Sequence, residues 1–385
     1  IMKKILVRGP ALSRSGYGEQ CRVALRALKS REDVFDIYLL PTGWGATSWL
    51  HEDNEERRWI DDLIIKTNHY IRDEQNPPMD VSLQVTIPNE WEPMAPVNIG
   101  YTAGIEVTHV DPKWVEQSRV VNHIITPSNH SRDVYKNTSY KMRSPNGEVL
   151  DEDFKCLTPI TVVPFPVRDY PSTSLDLKLD YDFNFVTVAQ WGWRKNIENT
   201  VRWFAEEFVD QEVGLVLKLS TLNDSTPDRF ETTKRLTNLL KQYEGRKCKV
   251  YLLHGSMSPA EINSLYTHPK IKAYMTATRG EGFGLPIFEA AYNGLPVIAP
   301  AWSGHMDYLM MPGTKKSGKQ SKAKAKFAKV DFDINTVPSD AVWKDVIPAN
   351  AGCCYAKQGS FKMKLREVYK DWGRFRKQAE ELQGW

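Results

Sequence analysis

Short apolar runs alternate with helically spaced apolar residues along most of the chain, in two blocks divided by a proline-rich stretch. In the first block residues 4–7, 80–87, 97–100 and 123–126 read as strands. In the second, residues 185–189, 214–219, 250–254, 273–276 and 296–300 do so, most of them followed by a helical pattern. Repeated strand and helix alternation requires a parallel sheet with helices on its faces. Residues 163–180, with Pro164, Pro166 and Pro171 followed by Ser and Thr, have the composition of a connection between domains. The expected organisation is therefore two α/β domains, residues 1–165 and 181–365, joined by a linker over 166–180, and 385 residues suffice for both.

Composition narrows the function little. A net charge of +3 is too small to imply a polyanionic partner, so charge has to be read locally. The 12 Trp and 16 Tyr suit a protein that stacks rings on sugar faces, although most should lie in cores. Five cysteines (Cys21, Cys156, Cys248, Cys353 and Cys354) show no paired metal spacing and read as the reduced thiols of a cytosolic protein. No run approaches the roughly eighteen apolar residues that span a bilayer. A soluble, cytoplasmic chain is expected, with peripheral membrane contact left open.

Local chemistry is most specific at residues 278–300. Gly280, Gly282 and Gly284 permit a close backbone approach to a ligand, and Pro286 suits the first turn of a helix that ends at Gly294. The amides of Phe283, Gly284 and Leu285 at that helix start would face an anion. Glu281 lies in the loop and Glu289 about one turn into the helix. Carboxylates accept hydrogen bonds from vicinal diols, so one suits the hydroxyls of a sugar and the other those of a ribose.

This segment resembles the donor-binding signature of retaining glycosyltransferases of the GT-B architecture, the glycosyl transferases group 1 family, whose E-x7-E spacing is matched by Glu281 and Glu289. The resemblance implies two Rossmann-like domains facing across a cleft, with a C-terminal helix, about 366–385, crossing back to complete the first, acceptor-binding domain. It implies that Glu281 contacts the donor sugar and Glu289 the nucleotide ribose. It also implies that Arg194 and Lys195 clamp the donor diphosphate, that the turn at Ser258 faces the nucleobase, and that Gly16 and Gly18 form the glycine-containing first loop near the donor phosphates or the acceptor. Glu106 and His109 lie in a segment similar to the one that approaches the donor sugar, and either could do so. Retention is usually ascribed there to front-face attack, so no carboxylate nucleophile is assigned.

Asp180-Tyr-Asp182 and Asp331-Phe-Asp333 carry the weak Asp-x-Asp pattern that holds a metal in another glycosyltransferase architecture, but neither follows a strand. Metal-independent transfer from a nucleotide-diphosphate sugar to a hydroxyl acceptor, with no cofactor, is the expected activity. A nucleotide-sugar epimerase, a glycan phosphorylase and a non-catalytic sugar-nucleotide- or nucleic-acid-binding module are the alternatives. Residues 137–153, with Asn146-Gly147, should form a surface excursion with a tight turn. Residues 314–329, with seven lysines, should form a mobile solvated loop, for which contact with a polyphosphate or an acidic surface is the sharper reading. Residues 361–382 should form one amphipathic helix.

Overall fold

The computed structural model describes residues 1–385, which separate into two compact units: residues 1–166 with 342–351, and residues 167–341 with 352–385. The first unit contains β1 (Lys3–Gly9), α1 (Gly16–Lys29), β2 (Phe35–Pro41), α2 (Glu55–Arg72), β3 (Val81–Gln84) and β4 (Val97–Tyr101). It continues through α3 (Pro112–Ser118), β5 (His123–Thr126), α4 (Asn129–Asn137), β6 (Ser139–Arg143), β7 (Val149–Lys155) and β8 (Ile160–Val162). Its parallel sheet runs β2-β1-β3-β4-β5-β8. β6 and β7 form an antiparallel hairpin closed at Asn146-Gly147, where Gly147 takes φ 85°. Gly147 alone of the pair is left-handed, and its amide donates to the Ser144 carbonyl at 2.9 Å, so the loop is longer than the two-residue turn that an Asn-Gly pair favours.

The second unit opens with β9 (Asn184–Gln190), α5 (Ile197–Glu207), β10 (Gly214–Ser220), α6 (Thr226–Leu240), β11 (Lys249–Leu253) and α7 (Pro259–Thr267). Next come β12 (Ile271–Met275), α8 (Leu285–Tyr292), β13 (Val297–Pro300), α9 (Met306–Leu309), β14 (Met310–Thr314), β15 (Gln320–Ala325), β16 (Ala328–Val330) and β17 (Phe332–Thr336). β18 (Gly352–Ala356), α10 (Gln358–Lys370) and α11 (Trp372–Gly384) complete it. Its parallel sheet runs β11-β10-β9-β12-β13-β16. The central strands are predominantly apolar because helices cover both faces, and Phe185, Leu215, Leu217 and Ala273 are fully buried.

Both sheets reverse strand order at their first strand. β9 pairs with β10 on one side and β12 on the other, and β1 lies likewise between β2 and β3. In doubly wound sheets ligands bind beyond the carboxyl ends of the strands at such a reversal. The loops after β9 and β12, and those after β1 and β3, are thereby placed to form sites.

Three expectations are corrected. The C-terminal helix belongs to the second unit: Phe361, Leu365, Val368 and Phe375 enter the cluster around Phe185, and the Trp372 indole donates to the Lys272 carbonyl at 2.8 Å. The segment grouped with the first unit is instead residues 342–351, between β17 and β18. The terminal pattern is also two helices, divided at Asp371, whose φ of −128° is not helical. The lysine-rich segment is an antiparallel ribbon of β14 and β15 rather than an unstructured loop, since its Lys-Ala-Lys-Ala alternation has the period of a strand.

The proline-rich connection is extended and runs along the second unit. Leu175, Leu177 and Leu179 turn alternately inward onto its core, and the Thr173 amide donates to Ser264 Oγ at 2.9 Å. The five thiols are free and buried. No helix is long and apolar enough to cross a membrane.

Candidate functional site

The loops after β9 and β12 meet in the second unit around one carboxylate. Beyond β9 the chain makes a single turn at Trp193–Lys195, and Asn196 then enters α5 with φ 52° and ψ 45°. Asparagine tolerates this left-handed conformation better than most residues. Its side chain donates to the Ala277 carbonyl at 3.1 Å, which ties the two loops together. The turn thereby aims Arg194 and Lys195 at Glu281. Arg194 Nη1 lies 2.7 Å from Oε2, Lys195 Nζ lies 2.7 Å from Oε1, and Thr278 Oγ1 donates to Oε1 at 2.9 Å.

Glu281 is 3% exposed, and burial alone would favour its neutral form. The adjacent Lys195 and Arg194 charges win, and its carboxyl is held at about 2. At neutral pH it is an acceptor-only carboxylate with three donors already in place. Its backbone is equally fixed, because the amide donates to Ser303 Oγ and the carbonyl accepts the Gly304 N–H, both at 2.8 Å. Ser303 takes φ 88°, unusual for a residue with a side chain. A Cβ on Gly304 would fall 2.2 Å from the Gly282 carbonyl oxygen, so only glycine lets this turn lie against the loop.

Gly282, Phe283, Gly284 and Leu285 lead into α8 as the sequence implies. Gly284 occupies the cap position with φ 82°, and Pro286 sits in the first turn. Phe283 is buried against Phe288 and Tyr308 with ring centroids 5.1 Å apart, so its side chain is a packing residue. The Tyr308 hydroxyl reaches the carbonyls of Phe283 and Gly284, each at 2.8 Å. Glu289 is half-buried on α8, where the Tyr266 hydroxyl approaches Oε2 at 3.4 Å.

Several residues that spacing did not single out hold this arrangement. The Arg279 amide donates to the Arg194 carbonyl at 2.8 Å and its guanidinium reaches the Trp193 carbonyl, so Arg279 fixes the turn that presents the two cations. His305 is fully buried, with Nε2 donating to the Pro300 carbonyl at 2.6 Å, and burial lowers its pKa. Asp228 gathers the loop after β10: its carboxylate accepts the amides of Thr221, Leu222 and Asn223 and pairs with His254 Nε2 at 2.7 Å. These bonds hold it well below the usual carboxylate range although burial opposes them. Ser258 caps α7, and its amide, hydroxyl and carbonyl are all engaged there, by Glu261 and Ile262. Its side chain thus has a structural task independent of any base.

The first unit places its candidates at the ends of its own strands. Ser15 caps α1 by accepting the Gly18 amide at 3.0 Å. A Cβ on Gly18 would lie 2.0 Å from the Ser13 carbonyl oxygen, whereas one on Gly16 would meet nothing within 4 Å. Between them Tyr17 is buried, its hydroxyl 3.0 Å from Thr102 Oγ1, and its ring packs on Trp44 with centroids 4.5 Å apart and planes tilted by 51°. Glu106 and His109 follow β4. His109 Nδ1 lies 3.0 Å from Thr108 Oγ1, while its buried Nε2 has no protein partner.

No family model matches the sequence, and no curated protein matches it. Solved structures do. The Anabaena protein Alr3699/HepE, crystallised with UDP and glucose, aligns over 99% of this chain and 94% of its own, at 12% identity and a TM-score of 0.57. Sucrose-phosphate synthase from Thermosynechococcus elongatus aligns over 99% and 94%, at 13% identity and a TM-score of 0.59. The chain spans 53% of the pneumococcal O-GlcNAc transferase GtfA, at 13% identity and a TM-score of 0.46. Its fold is therefore the GT-B glycosyltransferase fold implied by the sequence resemblance.

Proposed function

We propose that the protein transfers a sugar from a nucleoside-diphosphate sugar to an acceptor hydroxyl, with retention of configuration and without a bound metal. The observation that carries this reading is the buried Glu281 carboxylate held between Arg194 and Lys195 at the strand-order reversal of the second sheet. Departure of a nucleoside diphosphate places negative charge on phosphate oxygens, and preorganised cations stabilise it more than they stabilise the ground state. Arg194 and Lys195 supply that charge, and the first amides of α8, which no helix satisfies internally, add donors. Glu281 orients the two cations and accepts from sugar hydroxyls, and Glu289 receives the ribose diol. The UDP and glucose bound by the Anabaena relative support a nucleotide sugar as the donor.

Glu281 is poorly suited to nucleophilic attack, since a carboxylate accepting three hydrogen bonds, two of them from cations, has little free electron density to offer. The proposed route is therefore the one that the resemblance implies, front-face attack with the leaving phosphate oxygen taking the acceptor proton. Three of the four Asp-x-Asp carboxylates lie near lysines: Asp180 pairs with Lys249 at 2.6 Å, Asp182 with Lys270 at 3.8 Å, and Asp333 with Lys357 at 3.7 Å. The test is incubation with UDP, GDP and ADP sugars, following nucleoside diphosphate release and the anomeric configuration of the product by NMR, with and without EDTA. Release that is insensitive to chelator and yields a retained linkage is expected. Turnover that requires inorganic phosphate, or that isomerises the donor without an acceptor, would replace this reading by phosphorylase or epimerase chemistry.

A further inference from the structure

We infer that the β14–β15 ribbon is a docking surface for the phosphate backbone of duplex DNA. From Met310 to Val330 the chain carries seven lysines and no aspartate or glutamate. Only Lys326 is ion-paired, with Glu381 at 2.6 Å; Lys315, Lys316, Lys319, Lys322 and Lys324 are exposed. The antiparallel register sets Met311 opposite Lys324 and Thr314 opposite Gln320, and the Lys315–Lys319 turn closes with Gly318 at φ 77°. Lys322 and Lys324 therefore project from one face of the ribbon, and the other three lysines crowd its tip.

Three features select the partner. Holding five like charges on so short a ribbon is unfavourable unless an anion compensates them, and a polyphosphate does so with release of its condensed counterions. The remaining residues of the tip, Thr314, Ser317, Gln320 and Ser321, are the hydroxyl and amide types that bond phosphate oxygens, and no aromatic or aliphatic side chain is there to enter a membrane. A two-stranded ribbon also fits the major groove of B-form DNA, whereas the deep, narrow groove of an A-form RNA duplex does not admit it.

The test is fluorescence anisotropy of a labelled DNA duplex titrated with the full chain between about 50 and 200 mM salt. If all five lysines contact phosphate, the slope of log K against log salt should be about −4.5. Lys322→Ser with Lys324→Ser should lower its magnitude by about 2 and weaken every DNA sequence equally. Replacing all five by Ser should abolish binding while donor-sugar hydrolysis persists, and the double variant carries the test if the fivefold one does not fold. An unchanged slope in the double variant overturns the proposal. So does binding to phosphatidylserine vesicles or to an RNA duplex in preference to DNA. The anisotropy titration itself uses no donor, so its failure leaves the transferase reading standing, and failure of that reading leaves this one.

Discussion

The two units build parallel sheets of the same size but equip the reversal of strand order differently. In the second unit the loops that follow β9 and β12 bring two cations each to 2.7 Å from one buried carboxylate. At the first unit's strand ends neutral and charged contacts mix: the Tyr17 hydroxyl with Thr102, the Gln20 amide donating to the Thr102 carbonyl at 2.9 Å, Arg8 Nη1 donating to the Glu90 carbonyl at 2.8 Å, and Arg14 pairing with Glu52 at 2.5 Å. What sets the second unit apart is burial: the Glu281 side chain is 4% exposed between its two cations, whereas that of Glu52 in the first unit is 35% exposed.

The largest effect expected from this asymmetry is at Glu281. Glu281→Gln leaves Arg194 and Lys195 without their counter-ion, and breaking a buried pair costs about 3–5 kcal/mol. The variant should unfold at lower denaturant and lose nearly all transfer, yet keep or improve its affinity for a free nucleoside diphosphate, because a competing anion has been weakened. Calorimetry and urea titration measure the two. Loss of diphosphate affinity in parallel with transfer would mean that the carboxylate builds the nucleotide site itself. Glu289→Ala should show the converse, weakening the nucleotide while leaving stability nearly intact.

Next in size are Arg194→Ala and Lys195→Ala. Each should lower turnover by a factor corresponding to about 2.7–4 kcal/mol, the range seen when one preorganised donor to a developing charge is removed. If steady-state kinetics show only a raised KM, the cations bind the ground state and the transition state alike.

The pH profile comes third. The Glu281 carboxyl is lowered in the folded protein from 4.5 to about 2, so its contribution is fully present above pH 4.5 and is lost as pH falls through about 2. That span is worth about 3 kcal/mol. Melting temperatures measured across it should fall steeply in the wild type and more gently in Glu281→Gln; parallel curves would show that other carboxylates dominate.

How legible the sequence was follows the same division. Arg194, Lys195 and Glu281, which the structure brings together, drew notice in the sequence because charged residues close to glycines at a strand end have few structural uses. Thr278, Ser303 and Asp228 could not, since a hydroxyl or a carboxylate becomes informative only when the fold brings its acceptor or donor from a distant loop. The lysine ribbon was concealed by its own polarity: alternation of lysine with alanine has a strand's period but offers no apolar face to recognise. The terminal helices kept one helical pattern across Asp371, and nothing local told which unit their apolar side would cover.

The smallest effects, in the first unit, sharpen the comparison most. Gly18→Ala forces a Cβ to within 2.0 Å of the Ser13 carbonyl oxygen, and should cost about 1–3 kcal/mol, as overpacking does. Gly16→Ala meets no atom within 4 Å and should stabilise by about 0.4–1 kcal/mol through reduced freedom of the unfolded chain. The space before Gly16 is then either idle or kept for a substrate, and stability measured beside activity separates the two. We expect Gly16→Ala to be slightly more stable and several-fold less active at subsaturating acceptor, with nucleoside diphosphate binding unchanged. Equal activity would reduce the glycine loop of the first unit to a helix start, and would leave acceptor recognition to be sought at Glu106 and His109.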